Sequence, residues 1–209
     1  MKKRIIIYVA IVLIVLFTII YDSNNSKIKI KDPIVLSHNS ICLSDGKTVY
    51  VNLEMYSGEY FYGCTGGGTY ETNWEGNYQI RIYSDESNLD NYISVNPVFI
   101  DDKEMNFDKK FELKFDDYNN DSNPDFTLGQ YASGNYNIYR LYTILPDGEL
   151  KELSCDNGNT LMISKHDFSI KLEKVNSTSF KTELYNSGTA EVTEQIYEWK
   201  DSKFVLAKS

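Results

Sequence analysis

Apolar and polar positions divide this chain into two unlike parts. From Ile5 to Tyr21 no residue carries a charge, and Thr18 is the only aliphatic hydroxyl. That run of 17 residues would reach roughly 25 Å as a helix, the lower end of what spans a bilayer. Beyond it the period changes to two. Val49, Val51 and Leu53 alternate with Tyr50, Asn52 and Glu54, and 78–83 reads Tyr-Gln-Ile-Arg-Ile-Tyr. Alternation of this kind predicts half-buried strands. Strands are expected over 27–36, 47–55, 78–83, 92–99, 111–115, 125–131, 136–145, 168–175, 180–185, 192–199 and 203–207. Turn chemistry separates them at Ser44-Asp45-Gly46, Tyr56-Ser57-Gly58, Pro146-Asp147-Gly148, Asp156-Asn157-Gly158 and Asn186-Ser187-Gly188. No 3.6-residue period is sustained after residue 21. The pattern therefore predicts an all-β domain, a sandwich, barrel or propeller-like sheet arrangement, following one N-terminal transmembrane helix.

The flanks of the apolar run set its direction. Lys2, Lys3 and Arg4 precede it, and basic residues stay on the cytoplasmic side. The run ends in Thr18-Ile19-Ile20-Tyr21-Asp22, with bulky residues where a cleaved signal peptide has small ones. A retained signal-anchor is expected: basic flank 1–4, transmembrane helix 5–21, polar tether 22–26 and an extracytoplasmic domain over 27–209. The expected location is the plasma membrane, single-pass, with the C-terminal domain outside. Cleavage and release is the competing reading.

Charge narrows the partners. The whole chain has 21 basic and 30 acidic residues; beyond residue 26 there are 18 and 29, a net charge of −11. Binding of nucleic acid or of anionic lipid is not expected of such a domain, since phosphate recognition needs Lys and Arg. Cation binding or a basic partner suits it better. Cys42, Cys64 and Cys155 lack the paired spacing of a zinc or redox site. An outside location would permit one disulfide among them, with the pairing open.

The strongest chemical signal is Asp117-Tyr118-Asn119-Asn120-Asp121-Ser122-Asn123-Pro124-Asp125. Carboxylate or amide oxygens stand at loop positions 1, 3, 5 and 9. Calcium takes six to eight hard oxygen ligands in a flexible cage. Side chains at alternate positions of a tight loop can turn toward one centre, and the Asn123 carbonyl can add another oxygen. An EF-hand would need Glu at position 12, where Leu128 stands, and a helix on each side. Here apolar Phe111, Leu113 and Phe115 precede the loop, and Phe126 and Leu128 follow it. An acidic turn without a metal is the alternative, because Asp, Asn, Ser and Pro all favour turns.

The loop resembles the D-x-D-x-D-G-x-x-D motif of FG-GAP and VCBS-type repeats, found in integrin α-chain propellers and bacterial surface proteins. Asp117, Asn119, Asp121 and Asp125 match it, and Phe126-Thr127-Leu128-Gly129 is similar to the family's apolar exit. Ser122 replaces the usual Gly, and Asn119 replaces an Asp. The resemblance covers roughly 15–30 residues. It implies a calcium ion held by Asp117, Asn119, Asp121, Asn123 and Asp125, of modest affinity, and it does not extend to a whole fold or an activity.

Other signals are weaker. Gly63-Cys64-Thr65-Gly66-Gly67-Gly68-Thr69 lacks the Gly-Lys-Ser/Thr ending of a phosphate loop. His38 and His166 are the only histidines, and no nucleophile sits in a local motif such as G-x-S-x-G. Over 136–142, Tyr136, Ile138, Arg140 and Tyr142 share one face, either a surface for a protein or glycan ligand or ordinary aromatic packing. The reading that results is a membrane-anchored surface module, stabilised by calcium, that binds a protein or glycan. A cell-surface hydrolase, or an accessory to one, is the alternative.

Overall fold

The computed structural model describes residues 27–64, 70–84, 93–95, 105–156 and 158–208. The expected transmembrane helix 5–21 and the tether 22–26 lie outside the described residues. Among those residues no helix is long and apolar enough to cross a membrane. All regular structure there is β, as the alternation predicts.

Three antiparallel sheets account for it. The first has six strands: β1 (Ile28–Lys29), β2 (Ile34–Cys42), β3 (Thr48–Cys64), β4 (Tyr70–Tyr83), β5 (Ile93–Val95) and β6 (Met105–Phe107). The second has five: β7 (Phe115–Asp116), β8 (Asp125–Ser133), β9 (Tyr136–Ile144), β10 (Leu150–Glu152) and β11 (Leu161–Ile163). The third runs in order through β12 (Glu173–Asn176), β13 (Ser179–Asn186), β14 (Glu191–Lys200) and β15 (Lys203–Lys208). These are open stacked sheets, joined by two apolar cores.

The middle sheet supplies both cores, one from each face. Phe126, Leu128, Tyr142 and Ile144 pack with Val51, Leu53, Met55, Ile80 and Ile82 of the first sheet. Tyr139, Leu141, Leu161 and Ile163 pack with Phe180, Tyr197 and Phe204 of the third. Period two makes this arrangement available: neighbours along β8 and β9 point to opposite faces, and here both faces are covered.

Several expected boundaries shift for identifiable reasons. Pro33 divides the 27–36 run into β1 and the start of β2. The run 111–115 contributes only Phe115 to a strand, because the backbone before it bonds elsewhere. Leu113 N–H donates to Asn39 Oδ1 (3.0 Å) and Lys114 N–H to Ser169 Oγ (3.0 Å). Residues 168–172 behave alike: Ile170 N–H donates to Thr127 Oγ1 (2.8 Å) and Leu172 N–H to Tyr118 Oη (3.0 Å). Side chains replace the ladder in both segments. The turns at Gly46, Gly148 and Gly158 form with positive φ. Tyr56-Ser57-Gly58 is no turn: it lies inside β3, at a register shift between Met55 and Ser57. Gly58 there faces Gly76 of β4, and a Cβ on Gly76 would stand 2.2 Å from the Ser57 carbonyl oxygen. Only glycine lets the two backbones cross so closely.

Candidate metal centre

The stretch 117–124 connects β7 to β8, and its ends are fixed by the pairs Phe115↔Phe126 and Asp116↔Asp125. Asn120 and Ser122 adopt φ of 62° and 66°, which curls the loop tightly. Ser122 occupies the position where the resembling motif carries Gly, and it takes the left-handed conformation that favours Gly.

That curl draws the oxygens inward. Asp121 N–H is shared between Asp117 Oδ1 and Asn119 Oδ1, at 3.2 Å from each. Ser122 N–H donates to Asp117 Oδ2 (3.0 Å) and Asn123 N–H to Asp121 Oδ1 (2.8 Å). Asn119 Nδ2 donates to Asp121 Oδ2 at 2.9 Å. The side chains at positions 1, 3 and 5 are therefore gathered about one stretch of backbone. Each carboxylate oxygen has a second lone pair beyond the one bonded to an N–H.

Asp125 stands at the foot of the loop and is fully buried. Its Oδ2 accepts from Tyr118 N–H at 2.8 Å. Its Oδ1 is buried with no hydrogen bond, and so is Thr143 Oγ1 on the residue paired across from it. The two side chains are neighbours, but no well-aligned bond joins them. Burial pushes the Asp125 carboxyl up to about 7; the Tyr118 N–H and the Thr143 hydroxyl oppose the rise, while Asp121 and Asp117 add to it. A buried oxygen without a partner costs about 1–3 kcal/mol, more when charged. A cation would remove that cost and the mutual repulsion of the three carboxylates.

The donor set fits calcium in kind, since all five groups offer hard oxygen. Among the described residues, no three acidic, thiol or imidazole side chains form a ready cage. Two of the five expected ligands are an amide oxygen and a backbone carbonyl, so the loop's capacity does not rest on carboxylates alone. The Asn123 side chain is engaged elsewhere, accepting from Ser44 Oγ at 3.2 Å.

Basic residues from the third sheet and its approach border the loop. Lys171 Nζ lies 2.9 Å from Asp116 Oδ2, and Lys174 Nζ lies 3.7 Å from Asp116 Oδ1. Lys174 also donates to the Asp117 carbonyl. Burial acts to raise the Asp116 carboxyl, but Lys171, the Asp117 N–H and Lys174 together hold it below the usual range. Tyr118 ties the loop inward. It is fully buried, it meets Phe180 edge-on at 5.7 Å, and its hydroxyl accepts from Leu172 N–H. The loop is thus joined to the core between the second and third sheets.

Asp117, Asn119, Asp121 and Asn123 lie on the loop and Asp125 begins β8, a proximity their spacing in the sequence already gives, while the other candidates are dispersed. Tyr142 is buried and stacks on Phe126 at 5.5 Å. Tyr136, Ile138 and Arg140 are half-buried, so the face they share with Tyr142 is covered at one end. Cys42 and Cys155 are free thiols, the first exposed and the second buried. Burial pushes the Cys155 thiol up to about 12, which makes it a poor nucleophile. The Cys64 side chain and residues 65–69 lie outside the described part. His166 Nδ1 is 3.4 Å from Asn137 Oδ1.

One polar cluster escaped the sequence reading. On the face of the first sheet opposite the core, buried Glu54 accepts from Asn52 (3.1 Å), Gln79 (3.2 Å) and Arg81 (3.2 Å). His38 Nδ1 lies 2.7 Å from Asn52 Oδ1, and its ring stacks on Tyr50. Alternation marked these positions as polar; their convergence depends on the register Asn52↔Arg81 and Glu54↔Gln79. A carboxylate with three donors is satisfied, which makes this a packing network. Comparison with protein-family models, with curated proteins and with solved structures found no match.

Proposed function

We propose that this protein is a membrane-anchored surface module whose β domain binds a protein or glycan partner and is stabilised by one calcium ion. The ion would be held by Asp117, Asn119, Asp121 and Asp125 side chains and the Asn123 carbonyl. Bound there, it would supply charge neutralisation and a fixed centre for the loop. The observation that carries this reading is Asp125: a fully buried carboxylate with one oxygen unpaired, at the foot of a loop holding two more carboxylates. Tyr118, between the loop and the third sheet, would pass that stiffening into the second core. The anchor rests on the uncharged run 5–21 and its basic flank. The domain's charge of −11 favours a partner with basic groups.

Calcium affinity should be modest, on the order of 10⁻⁴ to 10⁻³ M, as in extracellular modules. A hundredfold excess over the dissociation constant adds about 2.7 kcal/mol to stability if only the native state binds. The melting temperature should rise with calcium and much less with magnesium, which demands a tighter octahedron. Asp121→Ala should remove most of the rise. An unchanged melting temperature at calcium concentrations well above millimolar would show that the loop is an acidic turn.

A further inference from the structure

We infer that the open edge of β14, from Glu191 to Gln195, receives an extended basic peptide as an added antiparallel strand. The inference rests on the protein-partner reading above, which it narrows to one surface and one class of ligand, and it depends on neither the anchor nor the calcium ion.

Hydrogen-bond direction shows which backbone groups are open. β13 and β14 pair without a register shift from Ser179↔Glu198 to Asn186↔Glu191. Just beyond, Trp199 N–H donates to the Thr178 carbonyl at 2.9 Å. Peptide groups alternate in direction along a strand, so those of Glu191, Thr193 and Gln195 also point to β13. Those of Val192 and Glu194 point the other way. The opposite edge of the hairpin obeys the same alternation. There Ser164 N–H donates to the Glu183 carbonyl (2.8 Å), and Tyr185 N–H donates to Ser164 Oγ (2.7 Å). Ser164 caps that edge. No such cap lies along Glu191–Gln195, because β15 pairs with β14 only from Ile196 onward. Among the described residues nothing bonds to the outward groups of Val192 and Glu194. Two donors and two acceptors are thus available to a further strand, and no proline or bulge interrupts them.

Side chains select the strand. Tyr185 and Val192 pair across the hairpin and are 38% and 59% exposed. Glu183 and Glu194 form the next pair on the same face. Like charges directly opposite each other are unfavourable. Lys181 Nζ lies 3.4 Å from Glu194 but is shared with Glu173, at 3.0 Å. Glu183 and Glu191 have no ion pair among the described residues. Lys165 and Lys171 share a pocket with Glu183, on the side of β13 that Ser164 caps. The charges on the open edge itself, Glu191 and Glu194, are both acidic. A second copy of this edge would bring acid toward acid, whereas a basic strand relieves the repulsion. Residues of an added strand that face Val192 and Glu194 stand two apart. The fitting sequence therefore has an apolar and a basic residue separated by one position.

The test uses the full chain in detergent micelles and a fluorescein-labelled peptide, Thr-Lys-Thr-Val-Thr-Lys-Thr. Anisotropy should rise and saturate as protein is added. Methylating the Val and Lys nitrogens of the peptide removes the donors aimed at β14 and should weaken binding about tenfold or more. Methylating the Thr nitrogens, on the peptide's outer edge, should leave binding unchanged. Glu194→Lys should weaken binding, and Val192→Pro, which removes an outward N–H without touching the β13 ladder, should abolish it. The methylated peptides leave the protein unaltered, so their result stands even if a variant does not fold. Any other pattern of methylation effects shows that the peptide is not held as an antiparallel strand on this edge, and overturns the inference. Binding indifferent to both protein variants also overturns it, and leaves the partner reading in place at another surface. Absence of peptide binding overturns the inference alone, since a glycan partner needs no open strand edge. A dimer of the chain by itself, dissociated by Val192→Pro, overturns it too and assigns the edge to a second copy.

Discussion

Two hairpins of similar length show how differently the same alternation is used. In β8–β9 every residue from Asp125 to Gly129 and from Leu141 to Ile144 is buried, whichever face it points to, and exposure is confined to the turn end around Tyr131 and Ala132. In β13–β14 the half nearest the turn is largely exposed on both faces, including Tyr185 and Val192, which pair directly across the strands. Both hairpins read as strands for the same reason, a period of two with β-branched and aromatic residues. The difference lies in what covers them. The first lies between two sheets; the second belongs to an outer sheet and extends beyond its core. Periodicity specifies a face, and only packing specifies whether that face is dry.

The largest consequence should come from the centre of the buried hairpin. Phe126 has no exposed surface and lies between Phe115 and Tyr142, at ring distances of 5.3 and 5.5 Å. Phe126→Ala should cost about 3–5 kcal/mol, read from denaturant unfolding. A loss under about 1 kcal/mol would mean that the first core does not depend on the middle sheet as its burial implies.

Next in size is a pH effect at the first residue of the same hairpin. Asp125 is held near 7, against 3.8 for an unperturbed Asp, so the folded state keeps its proton more tightly than the unfolded chain. Its contribution to stability is full below about pH 4 and is lost as pH rises through about 7. Each pKa unit corresponds to about 1.4 kcal/mol, so the change amounts to a few kcal/mol at most. With a chelator present, the melting temperature should fall between pH 5 and pH 8, and Asp125→Asn should flatten that fall. Equal slopes for the two proteins would show that the carboxyl is not strained.

A smaller effect tests the loop. Ser122→Gly relieves a left-handed conformation that L-residues resist, and should stabilise the domain by about 0.5–1 kcal/mol. Tighter calcium binding by the same variant, measured by titration calorimetry, is expected because less strain remains in the curled loop. Destabilisation by Gly would argue that the φ of 66° is not maintained in solution.

The smallest effect belongs to the exposed hairpin. Val192 is 59% exposed. Val192→Thr keeps its β-branching and should shift stability by no more than about 0.5 kcal/mol. A change as large as that of Phe126→Ala would abolish the contrast between the hairpins and show that another surface covers this one.

What the sequence determined by itself is local. Strand character followed from alternation, the turns at Gly46 and Gly148 from Asp-Gly pairs, and the oxygen-rich loop from nine consecutive residues that need no distant partner to form. Their contacts are made within a few bonds along the chain, where residue type and spacing fix geometry. Tertiary structure decided everything that depends on distant pairing. It placed the middle sheet between two others, buried Tyr142 and left Tyr62 exposed. It kept 168–172 out of the sheets by directing Ile170 N–H to Thr127 and Leu172 N–H to Tyr118. It also gave Asp125 its unusual carboxyl: the loop motif names the residue, but the desolvation that raises its carboxyl comes with its place opposite Thr143 in the buried middle sheet. Alternation records which side chains share a face; the free energy of that face depends on which other segment lies against it, and nothing in a strand's own sequence encodes that neighbour.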